Sequence, residues 1–456
     1  MITYISTRGG GEPRTFEQVL LDGLAPDGGL YVPQSWPRLD MAALKGKSYI
    51  EVAEAVMFPF VEGSIEKKDF RRILEETYGP EIFRHKDVAP LHKVYDNVHA
   101  LELFHGPTIA FKDVALQLLG RLFDHVLTRR NERVTIVGAT SGDTGSAAIE
   151  GCRHSDRVNI FILHPHGRVS DVQRRQMTTV RADNVHNIAL EGTFDDCQNL
   201  VKAMFNDAEF RAEMNLSAVN SINWARIMAQ IVYYVTTVLA LGEGVSFIVP
   251  TGNFGNVFAA YAARKMGVPI KSLIVATNEN DILARFFKTG TMEAKDVHPT
   301  LSPSMDIQIS SNFERYLFDV VGRDAEKLKA LMEAFKRDGK YAAAIGNDFT
   351  AHRCDDVHTL AVIKNVYDET GYVLDPHSAV GMAAALEMKS LKEKSGGPIV
   401  TLATAHPAKF PDAVEKATGT RPALPPHLAD LMGRPENFDK LPNDFNGLKS
   451  FIRKAS

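Results

Sequence analysis

The sequence predicts an α/β protein built as two open lobes with mostly parallel sheets, preceded by a mainly helical N-terminal domain. Three observations carry the prediction. Short β-branched runs alternate with helical stretches through much of the chain, as in repeated strand–helix–strand units. The alternation comes as two clusters, one opening at Arg133 and the other at Val245. Residues 1–92 lack it and mix short helical patterns with turns. The expected units are 1–92, 93–222 and 223–456, which suits 456 residues at about 150 per domain.

In the N-terminal unit, Pro26-Asp27-Gly28-Gly29 is a turn signal. Ile65–Tyr78 reads as a helix with Glu66, Lys67 and Lys68 on its exposed face. The first cluster starts with a strand at Arg133–Val137. A glycine-rich turn and an alanine-rich helix follow in SGDTGSAAIEG, then a strand at Val158–Leu163. A strand at Asn184–Leu190 and a helix at Phe194–Phe205 continue the series. Ile227–Leu241 is the most apolar stretch. It is short for a bilayer span and carries Gln230 and two threonines, so a buried helix is expected. The second cluster runs from a strand at Val245 through PTGNFGN and the helical AAYAARKMG to a strand at Ile270–Ala276. A charged helix from Ala325 to Lys336 stops at Asp338-Gly339, and a last strand is expected at Pro398–Ala403. Ligands of such folds bind at the carboxyl ends of strands, often between lobes.

Composition narrows the function. Hydrophobic residues at 45% and charged residues at 24% fit a globular chain and exclude disorder or collagen. With 52 Lys and Arg against 56 Asp and Glu, the net charge is −4, so no basic field exists to hold nucleic acid or an anionic membrane. Cys152, Cys197 and Cys354 are far apart and lack CxxC spacing. They argue against a zinc site or a disulfide framework and for a reducing compartment. The opening MITYISTRGGGEPR lacks the apolar run of a signal peptide. The pairs His85/His92 and His164/His166 sit in no metal motif, and no metal is expected. A soluble cytoplasmic enzyme is the expectation.

Two strand-to-helix turns suit anions: Ser141-Gly142-Asp143-Thr144-Gly145 and Thr251-Gly252-Asn253-Phe254-Gly255-Asn256. Glycine lets backbone N–H groups approach an anion, and a helix N-terminus adds partial positive charge. A single such turn is as often an ordinary connection; two together favour an anion-handling site. Neither is GxGxxG or a P-loop, which leaves a nucleotide-binding module a distant alternative. Lys112, in HGPTIAFKD, stands where a helical pattern begins, beside apolar Ala110 and Phe111. Opposition to the helix dipole and burial would both lower its pKa and make it a better Schiff-base amine. On composition alone a solvated surface lysine is the commoner outcome.

HGPTIAFKD resembles the cofactor-lysine motif of threonine synthase, a pyridoxal-phosphate enzyme of the tryptophan-synthase-β-like fold. YISTRGG, GLAPDGGLYVP, GATSGDTGSAA, NSINWARI, PTGNFGNVFAAYAA, LDPHSAVG and TAHPAKF resemble further family signatures, in the family's order and over nearly the whole chain. The length is similar to the longer bacterial and fungal form, without room for the plant form's regulatory extension.

The resemblance implies that Lys112 carries pyridoxal 5'-phosphate and then serves as a mobile base and acid. It implies that Gly252, Asn253, Phe254, Gly255 and Asn256 bind the cofactor phosphate, and that Ser141, Gly142 and Thr144 receive the substrate carboxylate. Thr404 matches the hydroxyl near the pyridine nitrogen, where many such enzymes place a carboxylate; otherwise it is a plain strand-end threonine. Asn220, Ser221 and Arg226 are implied to grip the leaving phosphate, helped by Thr144 and Asn253. An arginine in an apolar helix needs a partner, which fits. Related families often carry Asn at Asp143, facing a ring oxygen of the cofactor. An aspartate there would repel an ionised oxygen, or would instead hold backbone groups of its loop. His377, His406 and Lys409 also lie in family motifs, with structural roles equally open, though Lys409 could add positive potential near a phosphate.

The implied reaction converts O-phospho-L-homoserine and water into L-threonine and phosphate by γ-elimination and β-addition of water. A monomer is implied, as is closure of one lobe over the other. Two alternatives stand beside it. A threonine dehydratase or serine racemase of the same fold needs no second anion site. A related protein that only binds cofactor or phosphorylated ligands is the other.

Overall fold

The computed structural model describes residues 1–217, 220–390 and 397–456. Strands Tyr4–Ser6 and Tyr31–Pro33 pair antiparallel at the start of the chain. Helices Phe16–Asp22 and Tyr49–Val61 follow. Each opens on a capping box, Thr15 with Gln18 and Ser48 with Glu51, which satisfies backbone N–H groups a helix start leaves free. The turn at 26–29 closes on Asp27, whose carboxylate accepts from Ser6 Oγ and the N–H groups of Gly10 and Gly29. The helix expected at Ile65–Tyr78 spans Lys67–Tyr78, with Ile65 buried just before it. Arg8 and Thr7 both donate to Glu314 and tie this region to the larger lobe.

The larger sheet has six strands in the order Phe349–Arg353, Ile270–Thr277, Val245–Pro250, Ile399–Ala403, Val98–Glu102, Leu91–Tyr95. All pairs are parallel except the last. The smaller sheet is wholly parallel, in the order Asp439–Pro442, Val185–Glu191, Val158–Pro165, Val134–Ala139, Leu216–Ser217. The expected divisions at 92 and 222 do not follow sheet membership. Strand Val98–Glu102 lies inside the unit expected to be the smaller lobe, yet it pairs in the larger sheet. Asp439–Pro442 and the final helix, Phe445–Ala455, come from the far end of the chain and pack on the smaller lobe. These strands are short or carry charged residues, so their place is set by tertiary pairing and their own hydrophobic pattern is weak.

The apolar stretch is the helix Trp224–Leu241, capped by Asn223, whose side chain accepts from Ala225 N and donates to Leu20 O. Among the described residues it is the one helix long and apolar enough to cross a membrane, and 78% of that window is buried. It packs against Tyr49–Val61, Lys112–Arg130 and Gly255–Lys265, which explains apolar residues on every face.

The helices Lys112–Arg130 and Asp143–Cys152 cross where glycine meets glycine. A Cβ at Gly120 would lie 1.8 Å from the Gly151 carbonyl oxygen, and one at Gly151 would lie 2.3 Å from that of Leu116. The backbones touch because neither residue has a side chain. This close approach sets the spacing of the two helix starts, and each start carries a charged side chain, Lys112 and Asp143.

Candidate active site

The loop before Lys112 is pinned from several sides. Ile109 has φ 55°, a left-handed conformation that β-branched residues rarely adopt. Its neighbours hold it there. Thr108 donates to the Asp113 carboxylate from its backbone N (2.8 Å) and its hydroxyl (2.7 Å). Lys409 Nζ and Gln176 Nε2 donate to the Thr108 carbonyl at 2.7 and 3.0 Å. His406 N donates to Ile109 O at 3.0 Å, and Phe111 N to Thr404 O at 2.8 Å. Asp113 is fully buried, and burial pushes its carboxyl up to about 6 against the pull of Thr108.

Lys112 is buried. Its Nζ lies 3.1 Å from Asp143 Oδ2 and 3.5 Å from Ser304 Oγ. Burial lowers its pKa; Asp143 opposes that, while Lys409 and Arg226 add to it. Asp143 gathers four partners. Oδ1 accepts from Gln173 Nε2 at 2.8 Å and lies 3.2 Å from Lys409 Nζ. Oδ2 accepts from Lys112 and, at 3.1 Å, from Ser304 Oγ. Burial favours its neutral form, but Lys112 and Lys409 together hold the carboxyl well below its ordinary range. Asp143 therefore does not hold the backbone of its own loop. Thr140 does so, its hydroxyl accepting from the N–H groups of Gly142 (3.0 Å) and Gly145 (2.9 Å). Gly142 has φ 142°, and a Cβ there would run 2.6 Å into Gln173. On the same turn Ser141 is exposed and Thr144 half-buried.

His377 orders the other side. Ser304 N donates to its Nε2 at 3.2 Å, so the ring proton sits on Nδ1 and goes to Asp375 Oδ2 at 2.8 Å. Asp375 also accepts from Ser378 Oγ, and Thr404 N donates to that same hydroxyl at 3.0 Å. Thr404 thus follows the strand Ile399–Ala403 directly beside the Lys112 loop.

The second glycine-rich turn lies against Ser304: a Cβ on Gly252 would stand 2.8 Å from the Ser304 carbonyl oxygen. Phe254 opens the helix Gly255–Lys265 in a left-handed conformation, φ 61°. Its ring is held by Phe313, Phe349 and Tyr316, which offsets the backbone strain. Asn256 Oδ1 accepts from Tyr233 and Tyr234 hydroxyls at 2.5 and 2.7 Å, and its Nδ2 is buried without a partner.

Asn220 Oδ1 accepts from Ile222 N. Ser221 Oγ is 3.3 Å from Ser311 Oγ, which also donates to Asn253 Oδ1 at 3.3 Å. Asn312 donates to the carbonyls of Ser221 and Asn253, and the Arg315 guanidinium donates to Asn312 and Ile222 O. Arg226 stands in the first turn of Trp224–Leu241. Only 4% of it is exposed, and its Nε and Nη1 have no partner among the described residues. Burial pulls its pKa to about 10. A buried guanidinium without an anion is costly, so this one is built to receive one.

Contacts thus draw Lys112, Asp143, Ser304, His377, Lys409 and the 252–256 turn together, with Thr404 beside the Lys112 loop. Ser221 reaches Asn253 through Ser311, Asn220 turns to Ile222 N, and Arg226 stands near enough to Lys112 to act on its amine. Among the family-motif candidates, His406 lies apart. Its Nδ1 accepts from Ala408 N, and its ring lines a separate cavity of about 350 Å³ with Phe104, His105, Ile109 and His427. Sequence reasoning missed Gln173, Ser304, Ser311, Asn312 and Arg315. None lies in a glycine-rich turn or beside Lys112 in the chain, and no local pattern marks them.

Family models match the chain from end to end. One described as "Threonine synthase N terminus" covers residues 3–78, "Pyridoxal-phosphate dependent enzyme" covers 86–405, and "Threonine synthase, C-terminal" covers 378–452. A threonine synthase from Pseudomonas aeruginosa is 56% identical, across 98% of this chain and 97% of its own length. The chain belongs to the threonine synthase family. Among solved structures, a pyridoxal-phosphate-bound threonine synthase from Brucella melitensis matches with 53% identity and a TM-score of 0.97, covering 100% of both chains. Yeast threonine synthase matches with 40% identity and a TM-score of 0.95, over 99% of this chain and 98% of that one. The expected fold class, two mostly parallel lobes behind an N-terminal domain, is that of the family. The residues fit its cofactor. A buried primary amine drawn toward its neutral form suits an aldehyde. The unpartnered donors of Asn256 and Arg226 suit phosphate groups.

Proposed function

We infer that this chain is a threonine synthase that converts O-phospho-L-homoserine and water into L-threonine and phosphate with pyridoxal 5'-phosphate. The single observation that carries the reading is Arg226, buried near Lys112 with two guanidinium nitrogens unpartnered among the described residues. A dehydratase or racemase acting on a hydroxyamino acid has no need of that second cationic site.

When bound, the cofactor supplies an aldehyde for an amine and a ring that draws electrons from the substrate's Cα. Lys112 holds it covalently and, once freed, takes the proton from Cα and returns it at the end. Burial lowers the amine's pKa and so favours the uncharged form that can take a proton. Gly252, Asn253, Phe254, Gly255 and Asn256 bind the cofactor phosphate with the N-terminus of Gly255–Lys265. Thr404 would offer a neutral hydroxyl to the ring nitrogen. Ser141, Gly142 and Thr144 bind the substrate carboxylate through the open end of Asp143–Cys152. Loss of phosphate from Cγ also takes a proton from Cβ, and Cγ then gains one; the freed Lys112 amine would move both. Arg226, Asn220 and Ser221, helped by Thr144 and Asn253, stabilise charge as the phosphate leaves, and water then adds its OH at Cβ and its proton at Cα. The smaller lobe, with the C-terminal 439–456 segment that packs on it, closes to keep other water out.

The three free, buried cysteines support a reducing compartment, and we place the enzyme in the cytoplasm as a monomer. The test supplies O-phospho-L-homoserine to the loaded enzyme and measures products. Threonine and phosphate should form in equal amounts, and Arg226→Ala should lower kcat/KM at least a hundredfold. Cofactor colour without phosphate release, or an unchanged Arg226→Ala variant, would overturn the reading.

A further inference from the structure

Asp143 is shared by two buried lysines, and only one of them is needed to hold a cofactor. Lys112 Nζ lies 3.1 Å from Oδ2, and Lys409 Nζ 3.2 Å from Oδ1. Two ammonium groups around one carboxylate in a dry site leave a positive charge uncompensated. The amine with the poorer set of partners gives up its proton first. Lys409 has the better set. Its side chain is 0% exposed, and its Nζ also donates to the Thr108 carbonyl at 2.7 Å. Besides Asp143, the one hydrogen-bond partner of Lys112 Nζ among the described residues is the Ser304 hydroxyl at 3.5 Å, and that hydroxyl donates to Asp143 as well.

We propose that Lys409 is a positioning residue that claims the Asp143 carboxylate as a buried ion pair and so leaves the Lys112 amine uncharged, ready for the cofactor aldehyde. The charged groups that face Lys112 from other elements are Asp143, Lys409 and Arg226, and His377 faces Asp143. With Lys409 in place, the nearest groups to Lys112 sum to a positive field. Without it, Asp143 would lock Lys112 as an ammonium ion. The pair also explains how an aspartate is tolerated where family resemblance expects an ionised ring oxygen: its charge arrives already matched.

The inference rests on Lys112 being the cofactor lysine, which borohydride trapping tests separately, so the two can fail independently. The full chain is freed of cofactor, and the rate of Lys112 acetylation is followed from pH 6 to 10 by peptide mass spectrometry. Lys409→Met should slow labelling roughly tenfold at a fixed pH below the midpoint, with the midpoint moved up by about one pH unit. Lys409→Arg should restore the wild-type profile. The double variant Lys409→Met with Asp143→Asn exchanges a neutral pair for another neutral pair, and its rate should return to within about threefold of wild type. An unchanged midpoint in folded Lys409→Met protein would overturn the proposal. Should that variant not fold, the double variant decides. A double variant that labels much faster than wild type would show that Asp143 served Lys112 and not Lys409.

Discussion

Gly120→Ala should move Lys112 without touching it. The new Cβ would sit 1.8 Å from the Gly151 carbonyl oxygen, where real Cβ atoms stay beyond 3.0 Å. The obstacle is backbone, so no side chain can swing away, and the two helices must part by more than an ångström. Overpacking of this kind costs about 1–3 kcal/mol, while replacing a helical glycine by alanine returns about 0.5–1. A net loss of about 1–2 kcal/mol is expected, read as a fall of a few degrees in apparent Tm. Activity should suffer more. The helices open on Lys112 and Asp143, whose side chains meet at 3.1 Å, and a misplacement of about 1 Å can cost on the order of a hundredfold in rate. Differential scanning fluorimetry and kcat with O-phospho-L-homoserine measure both. A Gly120→Ala enzyme with wild-type Tm and kcat would refute the idea that this crossing sets the site.

Other expectations concern single groups. The Tyr233→Phe, Tyr234→Phe pair frees Asn256 to turn its amide, and cofactor affinity should fall about tenfold by fluorescence titration. Asp113 has a folded pKa raised to about 6, so the folded state holds its proton longer than the unfolded one. Stability from this group is present below about pH 4 and is lost as pH rises through 6, by about 3 kcal/mol. Asp113→Asn should therefore gain on wild type in urea midpoint between pH 4.5 and 7.5. His164 and His406, pulled to about 4 by burial, act with the opposite sign, but equally in both proteins, so the difference isolates Asp113. A constant difference across that range would contradict the assignment. Sedimentation should show a monomer.

The parts of this molecule that chemistry writes locally were legible in the sequence. A glycine-rich turn before a helix can offer backbone N–H groups to an anion, so the Ser141–Gly145 and Thr251–Asn256 turns stood out as candidates. Lys112 and NSINWAR did so through long contiguous motifs. What stayed hidden depends on distant pairing. Ser304 reaches Lys112 from a short turn far along the chain, held there by His377 at its backbone N–H and by Asp143 at its hydroxyl. Gly120 and Gly151 look like ordinary helix glycines until the helices cross. Strand Asp439–Pro442 carries charge and proline and gains its identity only from pairing with Val185–Glu191. Asp143, Lys112 and Lys409 were each visible, but that both lysines meet one carboxylate was not, because the three are brought together by distant pairing.

The central claim is that Lys112 carries pyridoxal 5'-phosphate in a site made for phosphorylated substrate. Borohydride reduction of the loaded enzyme, followed by peptide mapping, tests it most directly. The cofactor mass should appear on the Lys112 peptide alone, and prior addition of O-phospho-L-homoserine should protect that peptide. Cofactor fixed on another lysine, or none fixed at all, would contradict it.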